Sequence, residues 1–196
     1  MMKRFAVVTL AWLALPAVAE TSLMDGKVKT QRTVALHVET QCSPEEAYAL
    51  WTTTEGVKQF FAPAARIDAR PGGEYTILFL PDKDPQGLSH GTKGARVLQT
   101  VPGKAFSFEW ITFAGDASLG RNAPPLAPRS LRDATPLPTW VELEFAPLAG
   151  DRLRTRVQLT HYGFKDDALW EESYRWFSRA WAGVLAQLDK YCADGR

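Results

Sequence analysis

The sequence predicts an α+β domain in which an antiparallel sheet packs against one long C-terminal helix. Three observations carry this reading. A strand-like stretch is followed directly by two short helices, strand patterns then fill most of residues 64–162, and a long amphipathic segment rich in aromatic side chains runs from Asp166 to Cys192. A chain of 196 residues without internal repeats suits one domain around one core.

The first residues read as an export signal. Lys3 and Arg4 precede the apolar run "FAVVTLAWLALP", and "AVAE" offers small residues for cleavage between Ala19 and Glu20. The run is shorter than the roughly 20 residues needed to cross a bilayer, and no cysteine follows the cleavage point, so no stable membrane anchor is expected. A buried first helix or strand is the alternative reading. The expected product is exported, periplasmic or secreted, with residues 1–19 removed and 20–196 forming the domain. Taking Lys3 and Arg4 from 23 Lys+Arg leaves 21 against 22 Asp+Glu, a net charge of −1. A nucleic-acid binder carries a basic face, so no nucleic-acid partner is expected.

The elements follow in order. "TVALHVETQ" (33–41) alternates, with Val34, Leu36 and Val38 on one face of a half-buried strand. In "CSPEEAYALW", Ser43 is the expected N-cap, Pro44 stands at N1 and Glu46 at N3 completes a capping box. "EGVKQFFA" is a second short helix, stopped by Pro63. "ARIDA" and "EYTILFL" are joined through "RPGG", and the latter aligns Tyr75, Ile77 and Phe79. "TKGARVLQTV" and "KAFSFEWIT" are joined at "PGK", with Phe106, Phe108 and Trp110 together. "TWVELEFAPL" sets Val141, Leu143 and Phe145 opposite Glu142 and Glu144, and "RLRTRVQLTHY" sets Val157 and Leu159 opposite Arg154, Arg156 and Gln158. By the same parity His161 shares the apolar face, whereas Tyr162 points the other way. In the final helix Trp170, Tyr174, Phe177, Trp181, Leu188 and Tyr191 form an aromatic stripe, readable as core packing or as cavity lining.

This arrangement resembles the START-like (SRPBCC) superfamily, whose helix-grip fold wraps a curved antiparallel sheet, here of about seven strands, around a long C-terminal helix. Within it the chain resembles the branch of homologues of the activator of heat-shock-protein-90 ATPase. The resemblance rests on "SPEEAYALWTTTEGVKQFF", "RPGGEYTILF", "FSFEW", "VELEFAPL", "VQLTHYGF" and "RAWAGVLAQLDKY", spread over residues 33–192. It implies a cavity between sheet and helix, which in this superfamily holds lipids, sterols, polyketides or hormones and in some members supports cyclase or hydrolase chemistry. A chaperone-activating role would require a cytosolic partner, which an exported chain does not meet.

Residues 113–138 depart from that pattern as a Pro-rich insertion, "FAGDASLGRNAPPLAPRSLRDATPLP". Its prolines exclude regular helix or sheet. In a meander this segment, "PDKDPQGLSH" and "YGFKD" lie at one end of the sheet, around a cavity mouth with His161 just inside. The insertion reads as a lid, a flap for a protein partner, or a decoration.

No motif points to a cofactor or metal. His37, His90 and His161 are isolated and lack zinc-ligand spacing, no GxSxG elbow is present, and no glycine-rich phosphate loop follows a strand. No cofactor is therefore expected. The expected function is binding of a small hydrophobic molecule, lipid-like or aromatic, in a cavity lined by Tyr75, Ile77, Phe79, Phe106, Phe108, Trp110, Val141, Leu143, Phe145, Val157, Leu159, His161, Tyr174, Phe177 and Trp181. One alternative is an enzyme using His161 as general acid–base. Another is an interaction module with a filled core.

Cys42 and Cys192 are expected to form a disulfide. If the first strand pairs antiparallel with the last, and the long helix returns along the sheet, the helix end arrives where Cys42 leaves the first strand. An oxidising compartment allows the bond. Two separate thiols are the alternative.

Overall fold

The computed structural model describes residues 32–88, 90–110, 139–166 and 168–195. The signal segment with its Ala19–Glu20 junction and the 113–138 insertion lie outside the described residues. The element order is β1 (Arg32–Thr40), α1 (Pro44–Thr52), α2 (Thr54–Phe60), β2 (Ala64–Ile67), β3 (Tyr75–Leu78), β4 (Val97–Val101), β5 (Ala105–Trp110), β6 (Thr139–Leu148), β7 (Asp151–Phe164) and α3 (Ala168–Asp194). This is the expected helix-grip arrangement.

Among the described residues seven strands divide into an antiparallel sheet ordered β1-β7-β6-β5-β4 and a pair β2-β3. One continuous sheet was expected. The break has a local cause at Thr92, whose side chain replaces ladder bonds: Ile77 N–H donates to its Oγ1 at 2.8 Å, and the hydroxyl donates to the Tyr75 carbonyl at 2.8 Å. Only isolated bridges, Glu74 with Arg96 and Leu78 with Gly91, then stitch β3 to the chain leading into β4. The strand expected from Thr92 accordingly begins at Val97.

The capping chemistry sets the two short helices. Ser43 N–H donates to Glu46 Oε2 at 2.8 Å while Ser43 Oγ accepts from Glu46 N–H, the reciprocal box read from the sequence. Thr53 ends α1 and starts α2, its hydroxyl accepting from Gly56 N–H at 2.9 Å. Pairing of β1 with β7 is antiparallel, with Leu36 opposite Leu159 and Val38 opposite Val157. Alternation holds along β6, where Val141, Leu143 and Phe145 are buried and Glu142 and Glu144 exposed.

Helix α3 buries Trp170, Ser173, Phe177, Trp181, Leu185, Leu188 and Cys192. That three-four series differs from the expected stripe at two places. Tyr174 is half-buried beside the seam and carries the Arg32 guanidinium 3.8 Å above its ring. Tyr191 is 37% exposed because the adjacent Cys192 holds the core position. Arg32 also pairs with Glu171, so the start of α3 is tied to the start of β1.

At its other end the helix is covalently held. Cys42 and Cys192 form a disulfide with Cα atoms 5.2 Å apart, spanning 150 residues. The Cys42 carbonyl accepts from Thr155 Oγ1 at 2.8 Å, which fixes the same corner to β7. Closing so long a loop stabilises the fold by about 5 kcal/mol or less in the chain-entropy view. Denatured, non-reduced protein should therefore show no free thiol, and Cys42→Ala/Cys192→Ala should lower unfolding free energy in urea by about 3–5 kcal/mol. Two titrating thiols in freshly prepared oxidised protein would contradict this pairing.

Candidate functional site

The space between sheet and helix is filled mainly by rings. Tyr75 stacks on Phe108 with centroids 4.1 Å apart, Phe106 meets Phe108 at 5.5 Å, and Trp110 meets Trp181 edge-on at 4.9 Å. Ile77, Val141, Leu143, Phe145, Val157 and Leu159 are buried with them. These residues, with Tyr75, Phe106 and Phe108, were expected to line an open cavity. They are instead packed core, because large flat side chains from adjacent strands reach one another before reaching a ligand-sized gap. Tyr75, expected as a polar tip, has its hydroxyl donating to the Trp51 carbonyl at 3.2 Å inside the core. Burial raises its pKa far above the usual phenol value.

Among the described residues an open slot of about 180 Å³ lies at the end of the sheet where β3 and β5 finish and β6 begins. Its walls are Phe61, Phe79, Trp110, Trp176, Phe177, Ala180, Trp181 and Val184. Of the expected cavity residues, Phe79, Trp110, Phe177 and Trp181 are brought together here. Phe79, 38% exposed, stands at the rim. Phe61, Trp176, Ala180 and Val184 were not anticipated. The "FF" pair held a signal: the end of a two-turn helix cannot bury both rings in one direction. Phe60 accordingly enters the core, and Phe61 is half-buried against Phe79 and Trp110, at 5.9 and 6.0 Å.

His161 lies behind the slot, with no exposed surface. Trp181 Nε1, which can only donate, is 2.9 Å from His161 Nδ1, so Nδ1 accepts and the proton resides on Nε2. That proton goes to Thr139 Oγ1 at 2.7 Å, and the Thr139 hydroxyl donates to the Trp110 carbonyl at 2.8 Å. Phe164 and Phe177 cover the ring edgewise, with centroids at 4.6 and 5.0 Å. Burial drives its pKa down to about 3. Both ring nitrogens are committed and the imidazole is held neutral, so the geometry offers no route for a substrate proton. Gly163 allows this packing: its φ is +97°, and a Cβ there would lie 3.1 Å from Thr139 Cα. Tyr162, on the outer face as parity requires, stacks on Trp140 at 5.1 Å.

A larger open groove of about 410 Å³ lies elsewhere, between α1, α2 and the end of α3, over the disulfide. Its carboxylates are engaged, Glu46 in the capping box and Glu55 with Lys58 at 3.0 Å, and it lacks a converging reactive group. The smaller slot is therefore the better candidate site. Among the described residues no group of three or more His, Cys, Asp or Glu could hold a metal, and no helix is long and apolar enough to cross a membrane.

A five-stranded antiparallel sheet gripping one long helix, with the remaining gap lined by aromatic rings, defines a START-like helix-grip protein. Residues 41–193 match the family described as Activator of Hsp90 ATPase homolog 1-like protein, and the chain belongs to it. No curated protein is significantly similar in sequence. Among solved structures, protein MLL2253 from Mesorhizobium loti superposes with a TM-score of 0.60 at 14% identity, covering 84% of this chain and 99% of that one. The Aha1 dimer from Colwellia psychrerythraea gives 0.57 at 15%, over 82% and 96%. CalU16 from Micromonospora echinospora gives 0.54 at 16%, over 82% and 74%. At these identities the likeness is one of fold.

The buried histidine makes stability pH-dependent with a defined sign. Its folded pKa of about 3 lies below the ordinary 6.5, so between those values the unfolded chain binds a proton that the native state does not. Stability is thus complete above pH 6.5 and falls with acidification, by about 1.4 kcal/mol per pH unit. From pH 7.5 to 5.0 the wild type should lose about 2 kcal/mol through this group. His161→Gln should start less stable but show a flatter profile in urea titrations over that range. Parallel profiles would refute the assignment.

Proposed function

We propose that this protein is exported and binds a small, flat, apolar molecule, of one ring or two fused rings, in the aromatic slot. The observation that carries this reading is the slot's composition and size: six of its lining side chains are rings, around a partly open space of about 180 Å³. A dry apolar cavity of about 150 Å³ accommodates benzene, whereas drug-sized sites usually exceed about 300 Å³. The ligand is therefore closer to a substituted arene than to a sterol or a long acyl chain. Binding would draw on burial of apolar surface at about 25 cal/mol per Å², with ring stacking adding selectivity for flat molecules. His161 supports the site by orienting Trp181 rather than by exchanging protons. A protein partner engaging the 113–138 insertion remains compatible with this reading.

Naphthalene should quench the protein's tryptophan fluorescence saturably. Ala180→Phe, which extends a half-buried wall residue into the slot, should reduce that affinity by tenfold or more while leaving the far-ultraviolet dichroism unchanged. Enlarging Val141 would not serve, since it is fully packed and would overfill the core. Unsaturable quenching in the wild type, or unaltered binding in Ala180→Phe, would reject the slot as a binding site.

Export is supported by the basic, apolar and small-residue order of the first 19 residues and by a disulfide, which oxidising compartments sustain. Intact-mass measurement of protein produced in its own host should give a chain starting at Glu20. Retention of Met1 would overturn the signal assignment.

A further inference from the structure

The groove between α1, α2 and the end of α3 has no group converging on a ligand, yet its floor is chemically distinctive. Cys42 and Cys192 both line it, beside Ala49, Gln59 and Tyr191, and the space of about 410 Å³ is open. The two cysteines keep small exposed fractions, 7% and 3%. The disulfide thus borders a surface depression, whereas a bond sealed inside the aromatic core would be out of a reagent's reach.

The two halves of the bond are held unequally. On the Cys42 side, the carbonyl accepts from Thr155 Oγ1 at 2.8 Å, and the capping box of α1 follows directly. On the Cys192 side, little else fastens the chain. Leu188 has no exposed surface, but beyond it Lys190, Tyr191, Ala193, Asp194 and Gly195 are exposed and Asp189 is half-buried. Cys192 is the one fully buried side chain among the described residues after Leu188. Local stability follows buried contacts, so a helix end with a single such anchor separates once that anchor is released. Upstream, α3 is held without the bond: Leu185 and Leu188 lie in the core, Trp181 donates to His161, and Glu171 pairs with Arg32.

We propose that the Cys42–Cys192 bond is a redox-controlled latch: a dithiol reductant reaches it through the groove, and reduction frees the last turn of α3 while the rest of the domain stays folded. In the exchange, a thiolate of the reductant attacks one sulfur and the other leaves as a thiolate. The reductant's second thiol then displaces its first from the mixed disulfide, so the reductant ends as an intramolecular disulfide. Two electrons and two protons pass to the protein, leaving Cys42 and Cys192 as thiols. An oxidising compartment favours the latched form, and the dithiol supplies the opening signal. This inference is independent of the slot reading.

Dithiothreitol serves as the reductant on the full mature chain. Its rate of reducing the native protein should be unchanged by urea below the unfolding transition, since attack through the groove needs no global unfolding. Gln59→Trp, an exposed change that narrows the groove, should slow native reduction by about fivefold or more and leave reduction in denaturing urea unaffected. In hydrogen exchange, the amides of residues 190–195 should exchange about tenfold or more faster in reduced than in oxidised protein, while β5, β6 and β7 keep their protection. A reduction rate that rises with urea along the slope of global unfolding, or one that Gln59→Trp leaves unaltered, would overturn access through the groove. Equal exchange at 190–195 in both forms, or protection lost throughout the sheet on reduction, would overturn the latch. The urea slope and the exchange readout use the wild type alone, so they stand even where Gln59→Trp folds poorly.

Discussion

The hydrogen-bonded run from the Trp181 indole through His161 and Thr139 to the carbonyl of Trp110 joins the long helix to three successive strands, β7, β6 and β5. Each member can satisfy the next only in one protonation state. The indole can only donate, so the imidazole must accept on Nδ1, donate from Nε2 and remain neutral. The hydroxyl of Thr139 then accepts and passes its own proton to the backbone. A satisfied polar network in a low-dielectric interior fixes one arrangement of the groups it contains. Here it sets the rotation of the Trp181 ring, and that ring is a wall of the slot. The network also holds Trp110 beside Thr139, which are register partners at the two ends of the intervening 111–138 segment. Gly163 is the local concession that lets β7 approach Thr139 closely enough for the network to close.

Around this network, ring packing decides how much space is left. The sheet's inner face and the helix both present aromatic side chains, and they interlock in edge and stacked contacts from Tyr75 through Phe108 and Trp51 to Trp181. Such an interior resists deformation, since its fully buried rings are bounded by one another. The two ends of the helix are held separately, by Arg32 with Glu171 at one and by the disulfide at the other. The candidate site is thus a gap at one edge of a rigid core. This distinguishes it from a spacious tunnel through the middle of the domain.

Much of the fold was legible in the residues because its causes are local. The Ser43–Glu46 capping box, the Pro44 helix start, the period-two alternation of β6 and β7 and the three-four spacing of α3 act within a few residues of chain. The Cys42–Cys192 pairing was also inferable, since it follows from strand order and helix direction. Parity placed His161 on the inner face and Tyr162 outside without any knowledge of their neighbours. The tertiary structure alone decided whether that inner face encloses a cavity or fills it. Alternation says that Phe106, Phe108 and Tyr75 point inward, but whether they meet depends on sheet curvature and on distances between strands far apart in sequence. The same limit hid Phe61, whose role arises where the end of α2 meets the helix and sheet. Thr92 is a third case, a side chain that substitutes for a backbone ladder and so divides the sheet. Sequence patterns encode which way a residue faces; what it meets there is set by non-local packing, and the site is made of those meetings.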